Sequence, residues 1–415
     1  AKLGGQPHAG FCLPLNGGLT SAGRYRNPLV SNVGSKWVRL SNTSGITYCL
    51  VCSELIIQHV VSFFKFLFKT SLSFQFICVF LLFRAGSCIL KTTFIYHFQD
   101  WSTIMSDQTL SYFQKQIHHC QLCPRMCGID RGIQSGFCQA PSGAVAARAA
   151  LHYWEEPCIS GTRGSGTVFF SGCTLRCCFC QNHKISRDLY GKALTARELA
   201  DVFLRLQDQG ANNISLVTAT HFLPWIIPAL DLVKDRLSIP VVYNCGGYER
   251  TETIEALKDY VDIWLPDLKY ESSELSARYS QAPFYFQAAA KAIAQMIRQT
   301  GKPHLKEVPG EVAPVMDRGV IIRHLVLPGN KEDSIRLMHW MAEQLPKDSF
   351  YISLMSQYTP YEQNPQFPEL NRRITSYEYQ KVVDAALDLG LTQGFMQKKS
   401  SAKEEYTPAF DLEGL

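Results

Sequence analysis

Acidic residues are almost absent from the first quarter of this 415-residue chain. Before Met105 the only ones are Glu54 and Asp100, set against nine Lys and Arg, which gives this region a balance of +7. The whole chain carries +5, so the remaining residues carry −2. Because no basic domain follows Met105, the composition gives no indication of a nucleic-acid partner.

A long uncharged apolar run is also lacking. The one extended apolar stretch, Leu55 to Phe83, contains Lys65 and Lys69. Its longest charge-free piece, Thr70 to Phe83, is shorter than the about 20 residues that a membrane helix needs. A secretory signal would lie at the extreme N-terminus, and this stretch does not. No membrane partner is expected.

The composition changes abruptly at Met105. Three interpretations of residues 1–104 stay open: a poor membrane anchor, a disordered or targeting extension, or sequence foreign to the working protein. We favour the third, with Met105 as the natural start. The sequence then predicts a Cys-rich N-terminal lobe over 105–160, a barrel over 161–395 and a C-terminal tail over 396–415.

Eight cysteines fall into two tight clusters. This grouping is typical of metal binding in a cytosolic chain and not of a disulfide framework, so a reducing, cytoplasmic location is expected. The eight are Cys120, Cys123, Cys127, Cys138, Cys173, Cys177, Cys178 and Cys180.

The later cluster has the spacing C-x3-C-x2-C through Cys173, Cys177 and Cys180. Three thiolates can hold three corners of a cubane iron–sulfur cluster and leave the fourth iron without a protein ligand, which suggests that a substrate or cofactor binds iron directly. The alternative is structural zinc, for which His183 could supply a fourth ligand. Adjacent cysteines cannot both point at one cluster without strain, so Cys178 is expected to bind nothing.

The earlier cluster has the spacing C-x2-C-x3-C-x10-C through Cys120, Cys123, Cys127 and Cys138. Four thiolates suit either structural zinc or a fully ligated [4Fe–4S] cluster, and spacing alone does not separate the two. A site with four protein ligands would either stabilise the fold of the N-terminal lobe or relay electrons. The structural role is favoured. Buried cysteines that bind nothing are the remaining alternative.

After Gly166 the chain alternates short β-branched runs with helical patterns, which is typical of βα units around a parallel sheet. Thr195 and Glu198 form a capping-box pattern, and Gly210 is a fitting stop. The predicted strands are Thr167–Phe170, Asn213–Val217, Pro240–Tyr243, Asp262–Leu265, Val320–Leu327 and Phe350–Leu354. The predicted helices lie near Thr195–Gln209, Phe222–Asp235, Thr251–Asp259, Pro283–Thr300, Asn330–Gln344 and Ser376–Leu389.

Six such units predict an α/β fold, a partial (β/α)6 TIM-like barrel that is open on one side. In barrels of this kind the reactive groups gather where strands end. We therefore expect polar residues at the strand ends to line one mouth. The segments concerned are Ser171–Cys180, Thr218–His221, Asn244–Gly247, Pro266–Lys269, Arg323 with His324, and Met355–Tyr358.

The run Phe170–Asn182 resembles the signature of the radical S-adenosylmethionine (SAM) superfamily, in which an aromatic residue, here Phe179, precedes the third cysteine. The span from about Cys120 to Gly394 is similar to the branch related to pyruvate formate-lyase activating enzymes, and specifically to Fe–S homologues of those activases. The runs Trp154–Gly166 and Ile321–Gly329 are particularly close to that subgroup. The residues before Met105 have no counterpart.

The resemblance implies an oxidoreductase with a [4Fe–4S] cluster whose open iron chelates the amino and carboxylate groups of SAM. A reduced cluster passes one electron to the sulfonium, and the resulting 5′-deoxyadenosyl radical abstracts hydrogen from a substrate. The implied partners are SAM, an electron donor such as flavodoxin or ferredoxin, and, as a candidate substrate, a glycyl radical enzyme. The protein places the sulfonium and excludes water.

The resemblance also assigns cofactor-binding residues by position. The segment Thr218–His221 occupies the place where activases have a Gly-Gly-Glu stretch that holds the SAM amino group. No carboxylate is present in it, so the contact is expected to fall to backbone carbonyls or to Thr220. The cofactor-binding candidates are thus Thr218, Thr220, His221 and, at the third strand end, Asn244. For His221 a plain helix N-terminal residue is the alternative.

Asp267 and Lys269 match the activases' Asp-x-Lys pair near the reacting groups, and they are the catalytic candidates. Arg323 matches a basic residue near the SAM carboxylate, where a fork of donors suits bidentate binding. A surface ion pair and a barrel-rim salt bridge are the respective alternatives. Radical hydrogen abstraction needs no acid or base, so Glu155 and Glu156 are expected to be structural or to contact a partner.

Three functions stay open from the sequence. The favoured one is a radical SAM enzyme that abstracts hydrogen from a protein glycine, as an activase does. The second keeps this chemistry for a small molecule or a peptide, because a fold does not fix a substrate. The third is a non-catalytic scaffold protein that binds zinc or an iron–sulfur cluster.

Overall fold

The computed structural model describes residues 37–41, 47–51, 111–360, 363–397 and 407–415. The chain divides into two compact units, residues 1–96 and 97–415. In the first unit, β1 (Trp37–Ser41) and β2 (Thr47–Val51) form an antiparallel pair. The apolar stretch Leu55–Phe83 lies outside the described residues. Among the helices of the described ranges, none is long and apolar enough to cross a membrane.

The second unit alternates strands with helices. Its strands are β3 (Ala144–His152), β4 (Ser165–Phe170), β5 (Lys192–Leu194), β6 (Ile214–Val217), β7 (Val241–Cys245), β8 (Ile263–Pro266), β9 (His304–Lys306), β10 (Val315–Leu325), β11 (Tyr351–Met355) and β12 (Gly394–Met396). Its helices are α1 (Pro157–Ser160), α2 (His183–Asp188), α3 (Ala196–Asp208), α4 (Leu223–Val233), α5 (Thr251–Ala256), α6 (Ser273–Ser280), α7 (Tyr285–Thr300), α8 (Lys331–Gln344) and α9 (Ser376–Asp388). Residues 111–118 are also helical.

Six strands run parallel in the order β4, β6, β7, β8, β10 and β11. They are the six predicted strands, so the partial (β/α)6 barrel is confirmed. β12 adds a seventh parallel strand beside β11, and β3 pairs antiparallel with β4 on the other side. The described sheet runs from β12 at one edge to β5 at the other, which leaves it open.

Burial explains why these segments form strands and helices. β4 and β7 are buried at every position, because helices cover the sheet and leave no solvent-facing side. Helix α3 begins with the predicted capping box, in which Thr195 and Glu198 each accept from the other's backbone N–H. The helix stops before Gly210, whose φ of +89° suits glycine.

The last described residues pack against β3. Arg148 forms ion pairs with Asp411, at 2.7 Å, and with Glu413. The amide of Ala149 donates to the carbonyl of Glu413 at 2.9 Å, and Phe410 is buried. Residues 407–415 therefore continue the fold of the second unit. The domain bounds drawn from the sequence stay a prediction.

Candidate active site

The loop after β4 carries Cys173, Cys177 and Cys180. It begins at Gly172, whose φ is +84° and where an added Cβ would lie 2.9 Å from the carbonyl oxygen of Cys138. Two amides of the loop donate to carbonyls at the end of α6: Arg176 to Ser280 at 3.2 Å and Cys178 to Tyr279 at 2.7 Å. The loop is thus fixed between the N-terminal lobe and α6.

Each of the three sulfurs accepts a hydrogen bond from its own donor. For Cys173, Cys177 and Cys180 the donors are, in that order, Leu175 N at 3.4 Å, Ser280 Oγ at 2.9 Å and Ser186 Oγ at 3.4 Å. Hydrogen bonds to cluster sulfurs tune iron–sulfur centres, and donors aimed at sulfur stabilise thiolates. The donor pattern fits three metal-bound thiolates.

Burial opposes the ionisation of two of these sulfurs. Desolvation raises the pKa of the Cys173 thiol to about 12, and the neighbouring Cys177 and Cys180 raise it too. Desolvation likewise raises the pKa of Cys177, against the opposing effect of the Lys269 ammonium. A coordinating metal deprotonates a thiol outright. The site therefore suits a metal cluster better than free thiolates.

Cys178 and Phe179 have different surroundings. The neighbours that act on the Cys178 thiol include Cys177, Arg187 and Glu369, whereas those that act on Cys173 include Cys177, Cys180 and Lys269. Phe179 is buried, with its ring edge-on to Tyr270 and Tyr358 at centroid distances of 6.5 and 6.2 Å. Phe179 thus anchors the loop in the core. That Cys178 binds nothing stays a prediction.

Five polar side chains from four segments of the chain meet in one network. Arg323 Nε lies 3.0 Å from Asp267 Oδ1, its Nη1 lies 3.2 Å from Glu155 Oε2, and its Nη2 donates to Asn244 Oδ1 at 2.6 Å. Lys269 Nζ lies 2.6 Å from Asp267 Oδ2, and Asn244 Nδ2 donates to Glu155 Oε1 at 3.1 Å. The structure brings the catalytic candidates together with two cofactor-binding candidates.

The pKa values of the two carboxyl groups in this network are shifted in opposite directions. Burial raises the pKa of Asp267, but Arg323 and Lys269 together outweigh it, so the pKa lies below its usual range. For Glu155 the effect of burial exceeds the opposing effect of Arg323, so the pKa of Glu155 is raised. Burial lowers the pKa of Lys269, but Asp267 and Cys177 together outweigh it, so that pKa is raised. The Asp267–Lys269 pair is therefore ionised at neutral pH.

The remaining candidates lie in other surroundings. Thr220 is fully buried, donates to Glu249 Oε1 at 2.8 Å and accepts from the Tyr243 hydroxyl at 2.9 Å. His221 is buried, with Nε2 at 2.7 Å from the carbonyl oxygen of Ser171. Thr218 is half-buried. Their roles in holding SAM stay predictions.

Glu249 is a site residue that the sequence reading missed. It is 1% exposed, burial raises its pKa to about 8, and its Oε2 has no hydrogen-bond partner. Its carboxyl group accepts from Thr220, which lies in the segment Thr218–His221 that has no carboxyl group of its own. The available signal was the Gly246-Gly247 turn after β7, since a Cβ at Gly247 would lie only 2.1 Å from the Asp267 carbonyl oxygen.

Cys120, Cys123, Cys127 and Cys138 line one cavity, which we name the four-cysteine cavity. Its other polar or charged lining residues are Arg125, Arg131, Thr174 and His221. In the described part of the chain, no three His, Cys, Asp or Glu side chains converge on a point where they could hold one metal ion. In a cubane cluster each thiolate binds a different iron, so its ligands need not converge on one point.

Comparison with known proteins fits this geometry. Residues 167–340 match the model of the Radical SAM superfamily. The matched residues include the loop of Cys173, Cys177 and Cys180 and the residues Asp267 and Arg323. Members of this superfamily use a [4Fe–4S] cluster and SAM.

Two relatives and two solved structures are similar to the chain. An uncharacterised protein of Methanocaldococcus jannaschii is 28% identical over 278 residues, 65% of this chain and 74% of that protein. A pyruvate formate-lyase-activating enzyme of Clostridium pasteurianum is 32% identical over 108 residues, 25% of this chain and 44% of that enzyme. Streptococcus suis SuiB bound to S-adenosylmethionine is 15% identical, with a TM-score of 0.36 over 58% of this chain and 48% of that one. Methylornithine synthase is 13% identical, with a TM-score of 0.38 over 70% and 77%.

Proposed function

We propose that the chain is a radical SAM enzyme whose catalytic cluster is held by Cys173, Cys177 and Cys180. The observation that carries the proposal is the set of three sulfurs, each with its own hydrogen-bond donor, in the loop after the first strand of a radical SAM domain. When bound, the cluster supplies one electron to the SAM sulfonium, which gives the radical that takes a hydrogen atom from the substrate.

The side chains near the thiols set the charge of this site. The Lys269 ammonium acts on Cys177, where it offsets negative charge, and Asp267 holds Lys269 by a 2.6 Å contact. Because Lys269 is 18% exposed in its side chain, water screens this effect only weakly. We infer that Asp267 and Lys269 act as a unit that positions one positive charge beside the cluster.

Arg323 receives a role that differs from the sequence-based assignment. Each of its three guanidinium nitrogens has a protein acceptor, on Asp267, Glu155 or Asn244. We infer that Arg323 is a positioning residue that holds these three strand-end groups, and that a bidentate contact with the SAM carboxylate is not its main task. Asn244 and Thr218 remain our candidates for direct contact with SAM.

For the substrate we propose a protein glycine, as in activases. The support is the 108-residue likeness to a pyruvate formate-lyase-activating enzyme. A flavodoxin or ferredoxin is the proposed source of the electron. Under this proposal, incubation with SAM, reductant and a glycyl radical enzyme should leave a stable glycine-centred radical, visible by electron paramagnetic resonance (EPR). If 5′-deoxyadenosine forms but no such radical does with any enzyme tested, the substrate lies in another class.

The cleavage itself is tested on anaerobically reconstituted protein. With dithionite and SAM we expect 5′-deoxyadenosine in the chromatogram, and SAM should change the EPR signal of the reduced cluster. Cys177→Ala should abolish both. If the native chain gives no 5′-deoxyadenosine and an EPR signal that ignores saturating SAM, the proposal fails and a scaffold role takes its place.

A further inference from the structure

We propose that the four-cysteine cavity holds a second iron–sulfur cluster, ligated by Cys120, Cys123, Cys127 and Cys138, whose negative charge Arg125 and Arg131 balance. The loop geometry brings the ligands together: the amide of Cys120 donates to the Ile129 carbonyl, and the amide of Gly128 donates back to the Cys120 carbonyl, both at 2.9 Å. The cysteines thus face one space although 18 residues separate the first from the last.

A buried cation next to the cavity needs an anion. Arg131 is 4% exposed, donates to the carbonyls of His221 and, at 3.2 Å, Pro141, and lies 4.6 Å from the Trp225 ring centroid. A buried charge is costly unless it is paired. Among the residues that the structure describes, no Asp or Glu forms an ion pair with Arg131 or lines the cavity. A cluster ligated by four thiolates is an anion, and in this cavity it would lie next to Arg131.

One further nitrogen at the cavity lacks a partner. Arg125 Nη2 is buried without a hydrogen-bond acceptor, and Arg125 lines the cavity. Arg125 is held in place by its Nε, which donates to the Thr174 carbonyl at 3.1 Å, and by the Phe137 ring at 3.5 Å. Buried unpaired polar groups in native proteins need an explanation, such as a bound ion. An anionic cluster supplies one.

A single zinc ion would need its four sulfurs close together. Zn–S bonds of about 2.3 Å hold four thiolates only about 3.8 Å apart. In the described chain the four cysteines surround a cavity, and no three metal-binding side chains converge on one point. A cubane spreads its ligands because each thiolate binds its own iron.

The cavity also adjoins the loop of the proposed catalytic cluster. The carbonyl oxygen of Cys138 is in contact range of Gly172, and Arg176 Nη2 donates to the Phe137 carbonyl at 3.1 Å. Arg125 reaches Thr174 in the same loop. The second cluster would thus lie directly beside the first, with its own ligands and its own charge compensation.

Iron counting on a chain without the catalytic site tests the proposal independently of SAM chemistry. The full chain with Cys173→Ala, Cys177→Ala and Cys180→Ala is reconstituted with iron and sulfide. We expect about four irons and four sulfides per chain and an EPR signal after dithionite. Further Cys123→Ala and Cys127→Ala changes should remove them, while Cys158→Ala, a buried cysteine outside both clusters, should not.

Iron-free protein, or one zinc per chain, would overturn the second cluster and leave the proposed function untouched. If the triple variant does not fold, the native chain decides, since two clusters bind about eight irons and one binds about four. Four irons together with intact SAM cleavage would also contradict the second cluster.

The charge compensation has its own test in the same triple variant. Arg131→Met should lower the midpoint potential of the remaining EPR signal, because a lost positive charge disfavours the more negative reduced cluster, and it should lower iron retention. Arg131→Lys, which keeps the charge, should restore most of both. Equal potentials in Arg131→Met and the parent would refute the role of Arg131, even if stability fell.

Discussion

Arg323 and Asp267 are joined on one oxygen atom: Nε at 3.0 Å and Nη2 at 2.9 Å both contact Asp267 Oδ1. The backbone joins them as well, since the two residues form an isolated parallel bridge and the Leu268 amide donates to the Arg323 carbonyl at 2.8 Å. The ion pair therefore extends the pairing of β8 and β10 to the end of the sheet where the cysteine loop lies. The backbone pairing of the sheet, as well as the side chains of the site, therefore fixes the geometry of this ion pair.

Replacement of Arg323 tests its positioning role. Arg323→Ala removes the cation beside Glu155 and one of the two cations that Asp267 contacts, and breaking a buried pair in this way costs about 3–5 kcal/mol. We expect a loss of this order in the free energy of unfolding, measured in urea, with the iron content of reconstituted protein retained. Arg323→Lys should recover part of it. If SAM binding is lost while stability is unchanged, the sequence-based assignment of Arg323 to the SAM carboxylate holds instead.

The barrel strands could be predicted because each buried strand has a recognisable local sequence pattern. Short apolar runs bounded by turn residues identified β4, β6, β7, β8, β10 and β11. β3 was missed, because its sequence Ala144–His152 contains five alanines, which signal a strand poorly. Its conformation comes from pairing with β4, from Ala146 opposite Phe170 to His152 opposite Ser165. That is a tertiary cause which a local pattern does not carry.

The candidate site shows the same division. Cysteine spacing predicted both groups of candidate ligands, because ligand loops are local in sequence. The partners of Arg131 and Glu249 could not be predicted in this way. Glu249 contacts Thr220, which is 29 residues away in sequence, and Arg131 contacts His221, which is 90 residues away. Such contacts depend on where the strand ends meet. They are also the contacts that set the charge of the site.

Cys178 gives a matched control for the catalytic ligands. Cys178→Ala should keep the iron content and the SAM-dependent EPR change, because adjacent cysteines cannot both point at one cluster without strain and the Cys178 thiol has Arg187 and Glu369 as neighbours besides Cys177. Cys177→Ala, one residue away, should lose both. Iron analysis and EPR on the two purified variants make the comparison. Equal damage from both changes would mean that the ligand set is wrong.

Glu249 should make stability depend on pH. Burial raises its folded pKa to about 8, above the ordinary value of 4.5, so the unfolded chain binds fewer protons between these limits. Its contribution is fully present below pH 4.5 and is lost as the pH rises towards 8, at about 1.4 kcal/mol per pH unit. Glu249→Gln should remove this slope. Relative to the native protein, the variant should therefore gain more stability at pH 8 than at pH 5.

The control for this slope is Glu252→Gln, since Glu252 is largely exposed and lies three residues further along the chain. Urea unfolding of native and variant proteins at pH 5, 6.5 and 8 gives the three slopes. If the native protein and Glu249→Gln lose stability in parallel, Glu249 is ionised in the folded state and its burial does not control its charge.

Ser280 provides the sharpest test of the catalytic cluster, because its hydroxyl is 2.9 Å from Cys177 Sγ and 2.7 Å from the Tyr270 hydroxyl. Hydrogen bonds to a cluster sulfur raise the reduction potential, since they stabilise the more negative reduced form. Ser280→Ala should therefore lower the midpoint potential of the SAM-responsive EPR signal while the iron content stays constant.

Ser276→Ala is the matched control, because Ser276 is a buried serine of the same helix α6 whose hydroxyl donates to the Ser273 carbonyl at 3.1 Å. Both variants lose one buried hydroxyl, so a general effect on packing should appear in both. A redox titration followed by EPR separates the two cases. If Ser276→Ala shifts the potential as much as Ser280→Ala, the hydroxyl of Ser280 does not act on the cluster, and the assignment of Cys177 as a ligand loses its closest structural support.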